Sequence, residues 1–79
     1  LGVSASEVRE KQKLISLIVK SRKDYKISQA ALAKKAGVTQ SRIAQIESGI
    51  GTSKITFDVL LGILAVLGFD FKILPKKAA

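Results

Sequence analysis

Apolar positions recur every three or four residues along most of this chain, and the breaks in that rhythm divide it into short helices. Val8, Lys11, Ile15, Ile18, Val19 and Arg22 share one side at helical spacing and predict a first helix. Ser4 and Glu7 stand at capping-box spacing, so this helix is expected to start near Ala5 and to end around Lys23 or Asp24. Tyr25 to Ile27 is a short link. Ser28 then heads a second pattern, with Leu32, Ala33 and Ala36 on one face, and Thr39 heads a third, with Ile43 and Ile46. The predicted helices span about 29–36 and 40–48. Gly37 falls between them, where a helix needs a residue at positive φ to stop and turn. After Gly49, residues 50–54 read as a loop. Thr56 caps a fourth helix expected to run through Leu67 and to stop at Gly68.

The fourth helix carries more apolar surface than one core needs. Phe57, Leu60, Leu61 and Leu64 make one stripe, and Val59, Ile63 and Val66 make a second. A helix apolar on both sides is buried on both sides. Either a small core wraps it completely or the second stripe meets another subunit, and the shortness of the chain favours the subunit. Beyond it, residues 69–74 alternate with period two until Pro75 ends the run, which is a strand signal. A lone strand leaves its backbone groups unpaired. It can pair with the same strand of a second copy, or lie as a tail on the core with Phe69 and Phe71 as anchors. Pairing is the favoured expectation, which places Val59, Ile63, Val66, Phe69, Phe71 and Ile73 at a dimer interface.

The 79 residues suit one small domain over 1–79, and a core of that size is often supplemented by oligomerisation. Leu1 is not an initiator methionine, which is consistent with a start upstream. Cysteine and histidine are both absent, which removes disulfides, zinc fingers, thiol nucleophiles and imidazole bases together. Neither a cofactor nor a metal is expected. The apolar run from Val59 to Phe69 is shorter than the roughly 20 residues of a membrane-crossing helix, so a cytoplasmic protein without membrane contact is expected. The formal net charge is +8, and it is uneven: up to Lys54 there are eleven basic residues against four acids. That half suits a polyanionic partner, and the remainder suits burial.

A short helix, a glycine turn and a second short helix form the helix-turn-helix plan, which lays its second helix in the DNA major groove. With Gln29, Leu32, Ala33, Gly37, Val38, Ile43, Ile46, Glu47 and Gly49 in place, the chain resembles the lambda-repressor/Cro-like helix-turn-helix family from roughly Leu14 to Leu67. The resemblance implies a mainly α fold, a lambda-repressor-like DNA-binding domain of four to five helices. The succession of helix, Gly68 and strand looks like HipB-type antitoxins, in which it implies a dimer sealed by a two-stranded intermolecular sheet. The chain departs from the family at Ala31, where a Glu is usual, at Ser48, where Asn is frequent, and at Ile55, near a frequent Pro. The fifth helix of many phage repressors is replaced here by the strand.

Gln40 and Gln45 each offer a donor and an acceptor together, which suits bidentate contact with an adenine edge. The resemblance places Gln40, Ser41 and Gln45 at base-reading positions, and Arg42 has the reach for guanine or phosphate. Gln29, in the first turn of its helix, is expected at a phosphate, and in the family a Gln here also braces the Gln that starts the recognition helix, here Gln40. Thr52, Ser53 and Lys54 match a loop that lies against the DNA backbone. Lys20, Lys23, Lys26, Lys34 and Lys35 are solvated by default. Arg22 and Glu47 fall on otherwise apolar stripes and match an Arg–Glu bridge frequent in the family, so they read as structural.

Together these features lead to a dimeric repressor of double-stranded DNA with a pseudo-palindromic operator. The resemblance implies, as the preferred role, an antitoxin that represses its own operon, with a HipA-like kinase as the first candidate for a cognate toxin. A restriction-modification controller or a free-standing regulator is the alternative within that class. A protein-interaction module that has lost DNA binding is the alternative outside it. An enzyme is not expected, because the six acids form no cluster.

Overall fold

The structure is a computed structural model, and it describes residues 5–70. Four α-helices follow one another: α1 (Ala5–Asp24), α2 (Gln29–Ala36), α3 (Gln40–Ser48) and α4 (Phe57–Val66). A 3₁₀ turn, Thr52–Lys54, lies between α3 and α4, where the sequence reads only as loop. The expected starts of α2, α3 and α4 hold because hydroxyl caps satisfy first-turn N–H groups, while Ser4, the expected cap of α1, lies outside the described residues. Ser28 Oγ accepts from the Ala31 N–H at 3.0 Å, Thr39 Oγ1 from Arg42 at 3.1 Å, and Thr56 Oγ1 from Val59 at 3.3 Å.

Three of the helix ends close in the same way. After α2, Gly37 at φ 72 turns the chain, and Val38 N–H donates back to Ala33 O at 3.0 Å. A Cβ at Gly37 would meet nothing within 4 Å, so the positive φ alone selects glycine there. After α4, Gly68 and Phe69 close on Ala65 O and Leu64 O. After α1 the left-handed position is held by Lys26 at φ 57, with Ile27 N–H donating to Arg22 O. A lysine in that conformation costs about 1–2 kcal/mol relative to right-handed backbone.

One core joins all four helices. Ile15 and Ile18 enter it from α1, Leu32 and Ala33 from α2, and Ile43 and Ile46 from α3. Ile55, after the 3₁₀ turn, and Leu60, Ile63, Leu64 and Leu67 complete it. α2 packs on α3, and α1 lies against α3, α4 and the 3₁₀ turn. The motif helices, eight and nine residues long, are too short to stand alone in water. Burial of their apolar faces against α1 and α4 holds them.

α4 corrects two expectations. Its buried face is Leu60, Ile63, Leu64 and Leu67, which cuts across both stripes read from the sequence. Ile63, expected at a dimer interface, is 3% exposed in the core of its own chain. Leu60, Ile63, Leu64 and Leu67 stand at i, i+3, i+4 and i+7, the spacing of a single helix face. Val59 is half-buried against that core, while Phe57 and Val66 stand at the two exposed edges. The expected strand begins at Phe69, but Phe69 and Asp70 are not in a strand. Phe69 closes α4 with its N–H and packs its ring against the core. The rest of that segment, with Phe71 and Ile73, lies outside the described residues.

Candidate nucleic-acid interface

α3 buries Ile43 and Ile46 and turns the remainder of its surface outward. Gln40, Ser41, Ala44 and Gln45 are exposed, and Arg42 is half-buried at the side. At 3.6 residues per turn these positions form a continuous exposed strip opposite the two isoleucines, polar except at Ala44. Arg42 Nη1 lies 3.4 Å from Gln45 Oε1, a long contact at the limit of a hydrogen bond. It engages the Gln45 oxygen as acceptor, and the amide nitrogen of that side chain is a donor by its chemistry. Gln40 and Gln45, five residues apart, stand toward the two edges of that strip.

Behind that strip, one carboxylate ties three helices together. Glu47 of α3 accepts from Arg22 Nε at 2.7 Å and from Arg22 Nη2 at 2.9 Å, a bidentate pair from α1. It also accepts from Gln29 Nε2 of α2 at 3.1 Å. The remaining Arg22 nitrogen, Nη1, donates to Ile27 O at 2.9 Å and so fixes the link between α1 and α2. The side chains of Arg22 and Glu47 are 12% and 7% exposed. Burial pushes the Glu47 carboxyl up. The hydrogen bonds from Arg22 and Gln29 and the charges of Arg22 and Lys23 outweigh it and hold the group below the ordinary carboxylate range. The Arg22 guanidinium is held above its ordinary value, mainly by its hydrogen bond to Glu47. This network sets the orientation of α3 relative to α1 and α2. Gln29 bonds to Glu47 here, whereas the resemblance implies a brace on Gln40.

The turn after α3 holds three of the four residues expected at the DNA backbone, and it separates them. Thr52 is 4% exposed, and its hydroxyl donates to Gly49 O at 2.6 Å. The side chain thus closes the turn internally and offers no hydroxyl to a phosphate, which corrects its expected role. Ser53 and Lys54 are exposed. Ser48, in place of the frequent Asn, donates to Gln45 O at 2.6 Å and accepts the Ile50 N–H at 3.2 Å. It thereby performs the capping that an Asn could supply.

Among the other cations, Lys20 pairs with Asp24 at 2.8 Å and Lys13 with Glu10 at 3.2 Å, both on the surface. Such exposed pairs contribute little to stability. Lys23, Lys26, Lys34 and Lys35 are exposed. Lys11 is the functional candidate that the sequence reading did not assign. Its side chain is 4% exposed, paired with Glu7 at 2.8 Å and placed over the Phe57 ring at 5.3 Å. Its signal in the sequence is a lysine within the apolar stripe of α1, four residues after a glutamate.

No helix among the described residues is long and apolar enough to cross a membrane. Among curated proteins, none matches the chain. A family model described as a helix-turn-helix matches residues 18–74, a span holding Arg22, both motif helices, the 3₁₀ turn and α4. The two capped helices with their glycine turn, the polar outer strip of α3 and that match agree: the chain belongs to the lambda repressor/Cro-like helix-turn-helix family, the domain of DNA-binding transcription regulators.

Proposed function

We propose that this protein is a sequence-specific repressor that binds a pseudo-palindromic operator in double-stranded DNA as a homodimer. The observation that carries this reading is the outer strip of α3. Gln40, Ser41 and Gln45 are exposed together there, on a helix whose orientation is fixed from behind by the Arg22–Glu47–Gln29 network. Gln40 and Gln45 pair with adenine edges in the major groove, Ser41 takes either a donor or an acceptor, and Arg42 takes guanine or a phosphate. Ser53 and Lys54 contact the DNA backbone from the adjoining turn, with Gln29 at the start of α2. No catalytic step is part of this function.

The dimer forms through the C-terminal half. Val66, exposed on α4, Val59, two turns earlier on the same side of the helix, and Phe69, partly exposed after it, supply apolar surface, continued in the sequence by Phe71 and Ile73. A two-fold axis there lets the same surface meet itself and sets two α3 helices about 34 Å apart, one DNA turn. The regulator is best read as the antitoxin of a toxin–antitoxin operon acting on its own operator in the cytoplasm, with a kinase-like toxin as its second partner. That finer role rests on the resemblance to HipB-type antitoxins.

Selection of bound duplexes from a random pool, followed by footprinting, tests the reading. Two inverted half-sites centred about one turn apart are expected. Enrichment of no sequence would contradict specific recognition and favour a protein-interaction module.

A further inference from the structure

Lys11 is an unusual residue for a helix face, a cation with only 4% of its surface exposed. Three partners account for it. Nζ lies 2.8 Å from Glu7 Oε2, donates to the Ser53 carbonyl at 3.3 Å, and stands 5.3 Å from the centre of the Phe57 ring. One side chain of α1 therefore reaches the 3₁₀ turn and the start of α4 together. The carbonyl it holds belongs to Ser53, and Ser53 and Lys54 are the exposed residues of that turn.

We propose that Lys11 is a positioning residue for DNA backbone contact, acting through the Ser53–Lys54 turn without itself reaching the DNA. The inference rests on the reading of that turn as phosphate-facing. The turn is three residues long, flanked by Gly51 at φ 72, and closed by Lys54 N–H to Gly51 O and Ile55 N–H to Thr52 O. Such a short segment has many alternative conformations, and ordering it costs entropy that binding would otherwise have to overcome. The Thr52 hydroxyl ties it to the Gly49 carbonyl at the end of α3, and Lys11 holds it from α1. With the Ser53 carbonyl drawn inward onto Nζ, the Ser53 and Lys54 side chains stay outward before DNA arrives.

The test is a double-mutant cycle on affinity for a mixed-sequence duplex two helical turns long at low salt, where non-specific binding is strong. Lys11→Met keeps the aliphatic stem over Phe57 and removes the donor. It is expected to weaken binding about fivefold, and Lys54→Ala is expected to cost much less in the Lys11→Met background than in wild type. Losses that multiply independently would overturn the proposal while leaving the phosphate reading of the turn intact. Lys54→Ala without effect in wild type would remove both. Amide exchange at Lys54 and Ile55 gives a second readout: it should quicken in Lys11→Met while Ile43 and Ile46 stay protected, and unchanged exchange contradicts the proposal. Should Lys11→Met fail to fold, Glu7→Gln is read in the same cycle, and independence from Lys54→Ala there is equally contrary.

Discussion

Glu47 is the residue on which the arrangement of the motif depends most. It is nearly buried, and its partners come from α1 and α2, so its removal strands the Arg22 guanidinium in a site without a counter-charge. Glu47→Ala is expected to destabilise the fold by about 3–5 kcal/mol. A thermal melt checks it, and a melt equal to wild type contradicts it. The same carboxyl sets a pH dependence. Its pKa is lower folded than unfolded, so its stabilisation is complete above the unfolded value and is lost as pH falls through the folded one. Denaturant melts between neutral and acid pH should show that loss, and Glu47→Gln should flatten this part of the profile. Lys26 offers a gain instead. It holds a left-handed turn at φ 57, so Lys26→Gly is expected to stabilise by about 1 kcal/mol and raise the Tm by about 4–8 °C. A lowered Tm would mean that the lysine side chain contributes more than its backbone costs.

At the level of elements, the start and end of each motif helix were legible because local chemistry determines them. Ser28 and Thr39 cap, and Gly37 and Gly49 turn. These interactions span four or five residues, so they lie within the sequence pattern itself. α4 was less legible because almost every position in it is apolar. Periodicity cannot choose a buried face when candidates stand on every side, and the choice fell to the shape of a core built by α1, α2 and α3. That is why Ile63 points inward and Val66 outward. Thr52 and Lys11 escaped for a related reason: a buried hydroxyl or ammonium depends on partners distant in space, and Lys11 meets Ser53 across 42 positions. For the proposed dimer, Val66 is the informative position of α4, since it is 39% exposed in the described chain. Val66→Glu should leave the fold intact and weaken self-association about tenfold or more, read by sedimentation. An unchanged tight dimer would place the interface elsewhere.

The whole molecule presents a cationic half and an apolar half. Eleven basic residues precede Ile55, and several of them, Lys23, Lys34, Lys35 and Lys54 among them, are exposed. Counterion release then makes DNA affinity fall steeply with salt. Lys54→Ala should reduce the slope of log affinity against log salt by about one for each phosphate the protein no longer neutralises. An affinity independent of salt would contradict nucleic-acid binding altogether. Charge of this kind attracts any duplex, so only the outer strip of α3 can separate one sequence from another. The decisive measurement compares wild type, Gln40→Ala and Gln45→Ala on a duplex selected by the wild-type protein and on the same bases in scrambled order, at one salt concentration. Base reading by α3 predicts a loss of about 1–3 kcal/mol for each variant on the selected duplex and almost none on the scrambled one. Equal losses on both duplexes, or none on either, would contradict it.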